Sequence, residues 1–83
     1  MQPRSIEDSV LNILESISQT REVRENLDVA LFDEHIIDSF DLMCVIIELS
    51  EILQIDIAPA QVERVAWSTP RKIIEYVENR VSN

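Results

Sequence analysis

Asp38-Ser39-Phe40 is the stretch of this 83-residue chain whose residue types and spacing could do chemistry. A polar pair stands at the head of the most apolar segment, Phe40 to Ile57, and follows two isoleucines, Ile36 and Ile37. The pattern reads as a helix start, with Asp38 at the cap and the Ser39 hydroxyl displayed at the positive end of the helix. As a nucleophile, Ser39 would need a base in hydrogen-bond reach and a third group orienting that base. His35 is the only histidine, and a chain with no glycine has no Gly-x-Ser-x-Gly elbow. The same lack removes the turn of a calcium loop. A single cysteine, Cys44, makes neither an internal disulfide nor a multi-cysteine metal site, and reads as a small apolar filler. What remains is a hydroxyl presented to the chemistry of other proteins. The chain itself is not expected to be an enzyme.

The elements that must hold this hydroxyl follow from periodicity. Ser5 reads as an N-cap with Asp8 completing an approximate capping box, and Ile6, Val10, Ile13, Leu14 and Ile17 then predict an amphipathic helix to about Ser18. From Gln19 to Ile37 no period is sustained, although Val23, Leu27, Val29, Leu31, Phe32, Ile36 and Ile37 predict a connection packed across the bundle. A second helix is expected from Asp38 or Ser39 to about Gln54. With Leu42 set at zero and about 100° per residue, Val45, Ile46, Leu49, Ile52 and Leu53 share its core stripe. Phe40, Met43 and Ile47 point away at about 100° to 160°, and Asp41, Glu48 and Glu51 edge them at about 180° to 260°. Pro59 suits the first turn of a short third helix to about Ala66, with Val62 and Val65 inward. Thr69-Pro70 then caps a last helix to about Arg80, carried by Ile73, Ile74, Val77 and Val81 and covering Trp67.

Residues 1–83 make one all-α domain, since a glycine-free chain favours helices over tight hairpins. Seven basic residues against sixteen acidic ones give a net charge of −9, which repels nucleic acid and anionic membrane surfaces. No lysine or arginine lies between Arg24 and Arg64, a span that holds ten acids. Such a face around one displayed hydroxyl suits basic protein partners. No stretch approaches the length of about 20 apolar residues that a membrane span needs. Met1-Gln2-Pro3-Arg4-Ser5 leads into a charged amphipathic segment and not an apolar signal region, so a soluble cytoplasmic monomer is expected.

The run Phe32-Asp33-Glu34-His35-Ile36-Ile37-Asp38-Ser39-Phe40 resembles the attachment motif of acyl carrier and peptidyl carrier proteins. Within that superfamily the chain is most similar to the D-alanyl carrier branch. The branch's Glu-Asn-x-Asp is echoed by Glu25-Asn26-Leu27-Asp28, its Asp-Ser-Phe by Asp38-Ser39-Phe40, and its Trp-Asn-Thr-Pro by Trp67-Ser68-Thr69-Pro70. Two positions depart: Asp41 stands where the branch usually has glycine, and Cys44 where it usually has an acid. The resemblance implies a four-helix bundle of acyl-carrier-protein type, with a long first connection and a short third helix. It implies 4′-phosphopantetheine attached to Ser39 by a separate phosphopantetheinyl transferase, with Asp38 supporting the site. It also implies an ATP-dependent ligase that loads D-alanine for teichoic acid D-alanylation, and a downstream acyltransferase, in the membrane or out of it. Partners would dock on Phe40, Met43 and Ile47, with Asp41, Glu48 and Glu51 supplying charge. Two alternatives stay open: a carrier for fatty acid, polyketide or other acyl and aminoacyl chemistry, and an unmodified acidic interaction module in which Asp38 and Ser39 merely cap.

Overall fold

Amphipathic stripes at helical spacing can hide their apolar faces only against one another, and the chain does so. A computed structural model describes residues 3–58 and 62–82, with side chains from 6 to 58 and from 62 to 81. Among these, all regular structure is helical: α1 (Pro3–Ser18), α2 (Glu22–Glu25), α3 (Ser39–Leu53), a 3-10 turn (Arg64–Trp67) and α4 (Pro70–Ser82). The long α1 packs on both α3 and α4, while the 3-10 turn rests on α4. None of the described helices is long and apolar enough to cross a membrane.

The stripes supply the core. Ile6, Val10, Leu11, Ile13 and Leu14 come from α1, Leu42, Val45, Ile46 and Leu49 from α3, and Ile73, Ile74 and Val77 from α4. The expected packing of the first connection is found: Val23, Val29, Leu31 and Ile37 are buried, and Leu27, Phe32 and Ile36 pack against them. Its four-residue α2, invisible to periodicity, is what buries Val23.

Four expectations need correction. The first helix begins at Pro3, so Ser5 lies inside its first turn and not at its cap; the Ser5 side chain falls outside the described set. Ile52 is 57% exposed. It sits at the edge of the stripe in the last turn of α3, where the chain reverses and Ile57 enters the core instead. The short third helix starts later than expected. Pro59 lies outside the described residues, Val62 and Glu63 are not helical, and the turn is 3-10. Its tighter geometry, about three residues per turn, carries Val65 out to 74% exposure and Trp67 inward to full burial.

A chain without glycine must still end its helices. Gln19 and Gln54 do this in the left-handed region, at φ 60° and 54°, just beyond α1 and α3. The Gln54 N–H and the Ile55 N–H both return to the Ser50 carbonyl. A side chain with a Cβ is strained there where glycine is not. Gln54→Gly is therefore expected to raise the unfolding free energy by about 1 kcal/mol, read as a higher urea midpoint at unchanged slope. Gln54→Ala, which keeps the Cβ, should give no such gain.

Candidate functional site

Ser39 is the first residue of α3, and both its neighbours and the residues beneath it explain its position. Asp38 is the N-cap, in extended backbone at φ −117° and ψ −172°. Its Oδ1 accepts from the Asp41 N–H at 2.8 Å, and Asp41 Oδ2 accepts from the Asp38 N–H at 3.2 Å. This reciprocal pair is a capping box. Ile37 and Leu42 flank it, at the positions of a hydrophobic staple, and both are buried in the core. Upstream, the Leu31 carbonyl accepts from the N–H groups of Ile36 and Ile37, at 2.9 and 3.2 Å. His35 adopts φ 59° in that reversal.

The outcome is an exposed Ser39 whose hydroxyl bonds to no other described residue. Amide bookkeeping at the helix head is simple. Asp38 and Asp41 donate to each other's carboxylates, and Leu42 donates to the Asp38 carbonyl. The N–H groups of Ser39 and Phe40 have no partner among the described residues, and they stand at the positive end of the helix. A phosphodiester on Ser39 Oγ fits such a head, which offers donors and room in solvent.

Phe40 is 73% exposed, Met43 and Ile47 50% each, so the second apolar face of α3 does face solvent. Glu51 is exposed, and Glu48 and Cys44 half-buried, along it. Asp41 is half-buried and engaged in the cap, a task that helical spacing alone does not assign to it. The Asp-x-x-Asp spacing from Asp38 to Asp41 is the signal that could reveal it. Ile52 and Val65, expected inside, are further exposed apolar residues.

The two outer segments singled out by resemblance meet each other. The Asp28 N–H donates to Asn26 Oδ1, and Arg71 donates to both Asp28 oxygens at 2.8 and 3.3 Å. The Arg71 N–H bonds the Leu27 carbonyl, and the Leu31 N–H bonds the Ser68 carbonyl. Thr69 caps α4 as expected, its Oγ1 accepting from Lys72 N–H. Trp67 is fully buried and meets Tyr76 edge-on, with ring centroids 5.2 Å apart and planes at 62°. The reversal that leads into Ser39 is thus stitched to the segment before α4.

Hydrogen bonding from Arg71 holds the Asp28 carboxyl below its ordinary value. A carboxyl lowered on folding stabilises above its unfolded pKa and gives that up as pH falls through the folded one. Asp28→Asn should therefore unfold at lower denaturant than wild type at neutral pH. The gap should close as pH drops below the carboxylate range. It should be small, since the pair is exposed. A urea series across pH measures it.

An open cleft of about 350 Å³ lies between Ala30, Phe32 and Asp33 on one side and Arg64, Val65 and Ser68 on the other. The Arg64 guanidinium sits 4.3 Å from the centre of the Phe32 ring. The cleft's hydroxyl, Ser68 Oγ, donates to the Val65 carbonyl at 2.9 Å.

No family model matches the chain. Curated relatives do. The chain is 39% identical over 71 residues to proteins named D-alanyl carrier protein in Bacillus mycoides (strain KBAB4), Bacillus cereus (strain B4264) and Bacillus anthracis (strain CDC 684 / NRRL 3495). The match covers 86% of this chain and 90% of each relative.

Proposed function

Because the chain belongs to the D-alanyl carrier protein family, we propose that it carries D-alanine for teichoic acid D-alanylation, on 4′-phosphopantetheine attached to Ser39. The observation that carries this reading is the exposed Ser39 at the head of α3, behind its Asp38 cap. The prosthetic group would supply a thiol on a flexible arm, to which D-alanine is joined as a thioester. The chain's own part is presentation. Asp38 and the buried Ile37 and Leu42 fix the helix head, the unpartnered N–H groups of Ser39 and Phe40 face an incoming phosphate, and the surrounding surface recruits enzymes. No described side chain bonds the Ser39 hydroxyl, and in this reading a phosphopantetheinyl transferase supplies the base. An ATP-dependent ligase loads D-alanine in the cytoplasm, and an acyltransferase removes it.

Phe40, Met43 and Ile47 form the apolar part of the docking face, and Glu48 and Glu51 its charged edge. The expected contact is small, since a shuttle must leave each partner quickly. The test of the carrier reading is sequential loading of the apo chain. With coenzyme A and a broad phosphopantetheinyl transferase it should gain one pantetheine, and with ATP, D-alanine and the ligase one alanyl group that hydroxylamine removes. A chain that stays at its apo mass refutes the reading. Charge reversal at Glu48 and Glu51 should slow ligase loading about tenfold at low salt while leaving the helical circular dichroism intact. Unchanged loading would place the docking face elsewhere.

A further inference from the structure

We infer that Asp41 is a positioning residue for the modification of Ser39, acting through the Asp38 backbone and not through its charge. This rests on the carrier reading above and gives one of its residues a different task. An acid on the rim of a docking face would point its carboxylate at solvent and at a basic partner. Asp41 is half-buried, and its Oδ2 takes the Asp38 N–H at 3.2 Å while its own N–H goes to Asp38 Oδ1 at 2.8 Å. Both bonds close on the residue that immediately precedes Ser39. Ser39 is the first helical residue, and first turns fray unless their donors are held. From below, Ile37 and Leu42 pin the same turn into the core. Removing the Asp41 carboxylate frees the Asp38 N–H, and the dihedrals that aim the Ser39 Oγ outward lose one of their two ties. The glycine that the family resemblance leads one to expect at this position would have no side chain to make the second bond.

The two roles separate cleanly. The substitution Asp41→Asn keeps an oxygen that can accept from the Asp38 N–H but removes the charge. A docking role predicts that Asp41→Asn and Asp41→Ala are equally impaired, and that salt erases the defect. The positioning role predicts that Asp41→Ala is modified about fivefold more slowly, the scale of a lost cap, at low and at high salt alike. It predicts that Asp41→Asn stays within about twofold of wild type, as a retained cap would allow. The experiment measures pantetheine incorporation into the three apo chains by intact mass, well below their melting temperatures so that all are folded. Amide hydrogen exchange at Asp38 is followed alongside: faster in Asp41→Ala, protected in Asp41→Asn. If Asp41→Asn behaves like Asp41→Ala, or if Asp41→Ala is modified at the wild-type rate, the inference is overturned while the carrier reading stands. If the wild-type chain takes no pantetheine, both fall.

Discussion

Ser39→Ala will carry no pantetheine under conditions that modify the wild-type chain to completion, and it will remain folded. The loss should be total because the bond forms at one oxygen. The fold should survive because that oxygen is in solvent and bonds to no other described residue, and because alanine is at least as good a helix former as serine. An exposed substitution of this kind shifts stability by no more than about 0.5 kcal/mol. Three of the other serine hydroxyls are already engaged or hidden: Ser18 Oγ donates to the Leu14 carbonyl, Ser68 Oγ to the Val65 carbonyl, and Ser50 Oγ is buried. Intact mass and circular dichroism on the same sample decide the matter. An adduct on a folded Ser39→Ala chain would move the attachment to another residue.

The second large effect concerns the fold. Trp67→Ala should destabilise by about 3–5 kcal/mol, the usual cost of emptying a large buried aromatic site. For a chain of this size total stability is expected at about 4–12 kcal/mol, so the variant would sit near the edge of folding. Trp67 is fully buried against Tyr76, and the Ser68 carbonyl beside it holds the Leu31 N–H. The loss would therefore loosen the reversal that leads into Ser39. Trp67→Phe should be much milder. It keeps an aromatic ring and removes the indole N–H, which is buried without a partner among the described residues and so carries a desolvation cost. Urea unfolding followed by circular dichroism should rank wild type close to Trp67→Phe and both well above Trp67→Ala. If the phenylalanine variant is nearly as unstable as the alanine one, ring shape and not burial dominates that corner.

Much of this architecture is legible in the chain. Period alone locates α1, α3 and α4 to within a few residues, because each has a stripe that matches a neighbouring face. Thr69-Pro70 marks the start of α4, and the pattern around Ser39 marks the exposed head of α3. The differences have a common physical origin. Periodicity shows which face of a helix is apolar and not where the partner helix ends, so Ile52 falls on a core stripe that it overshoots. A 3-10 turn has a different period from an α-helix, so a helical reading turns Val65 the wrong way. Asp28 and Arg71 are 43 residues apart, a pairing no local pattern contains. Spacing suggests a capping box at Ser5 and Asp8, whereas the structure closes one at Asp38 and Asp41. Which acid three residues on from a cap will close such a box depends on where the helix begins, and there a start three residues earlier than expected decides it.

The solvent-facing side of α3 has a last consequence, for how copies of this molecule coexist. Phe40, Met43, Ile47 and Ile52 lie open on one helix, with Val65 open as well, an amount of uncovered hydrocarbon that invites clumping. A net charge of −9 counters it by mutual repulsion. The acidity thus keeps a crowded population of carriers dispersed, and acidifying the solvent toward the isoelectric point near 4.3 removes that protection.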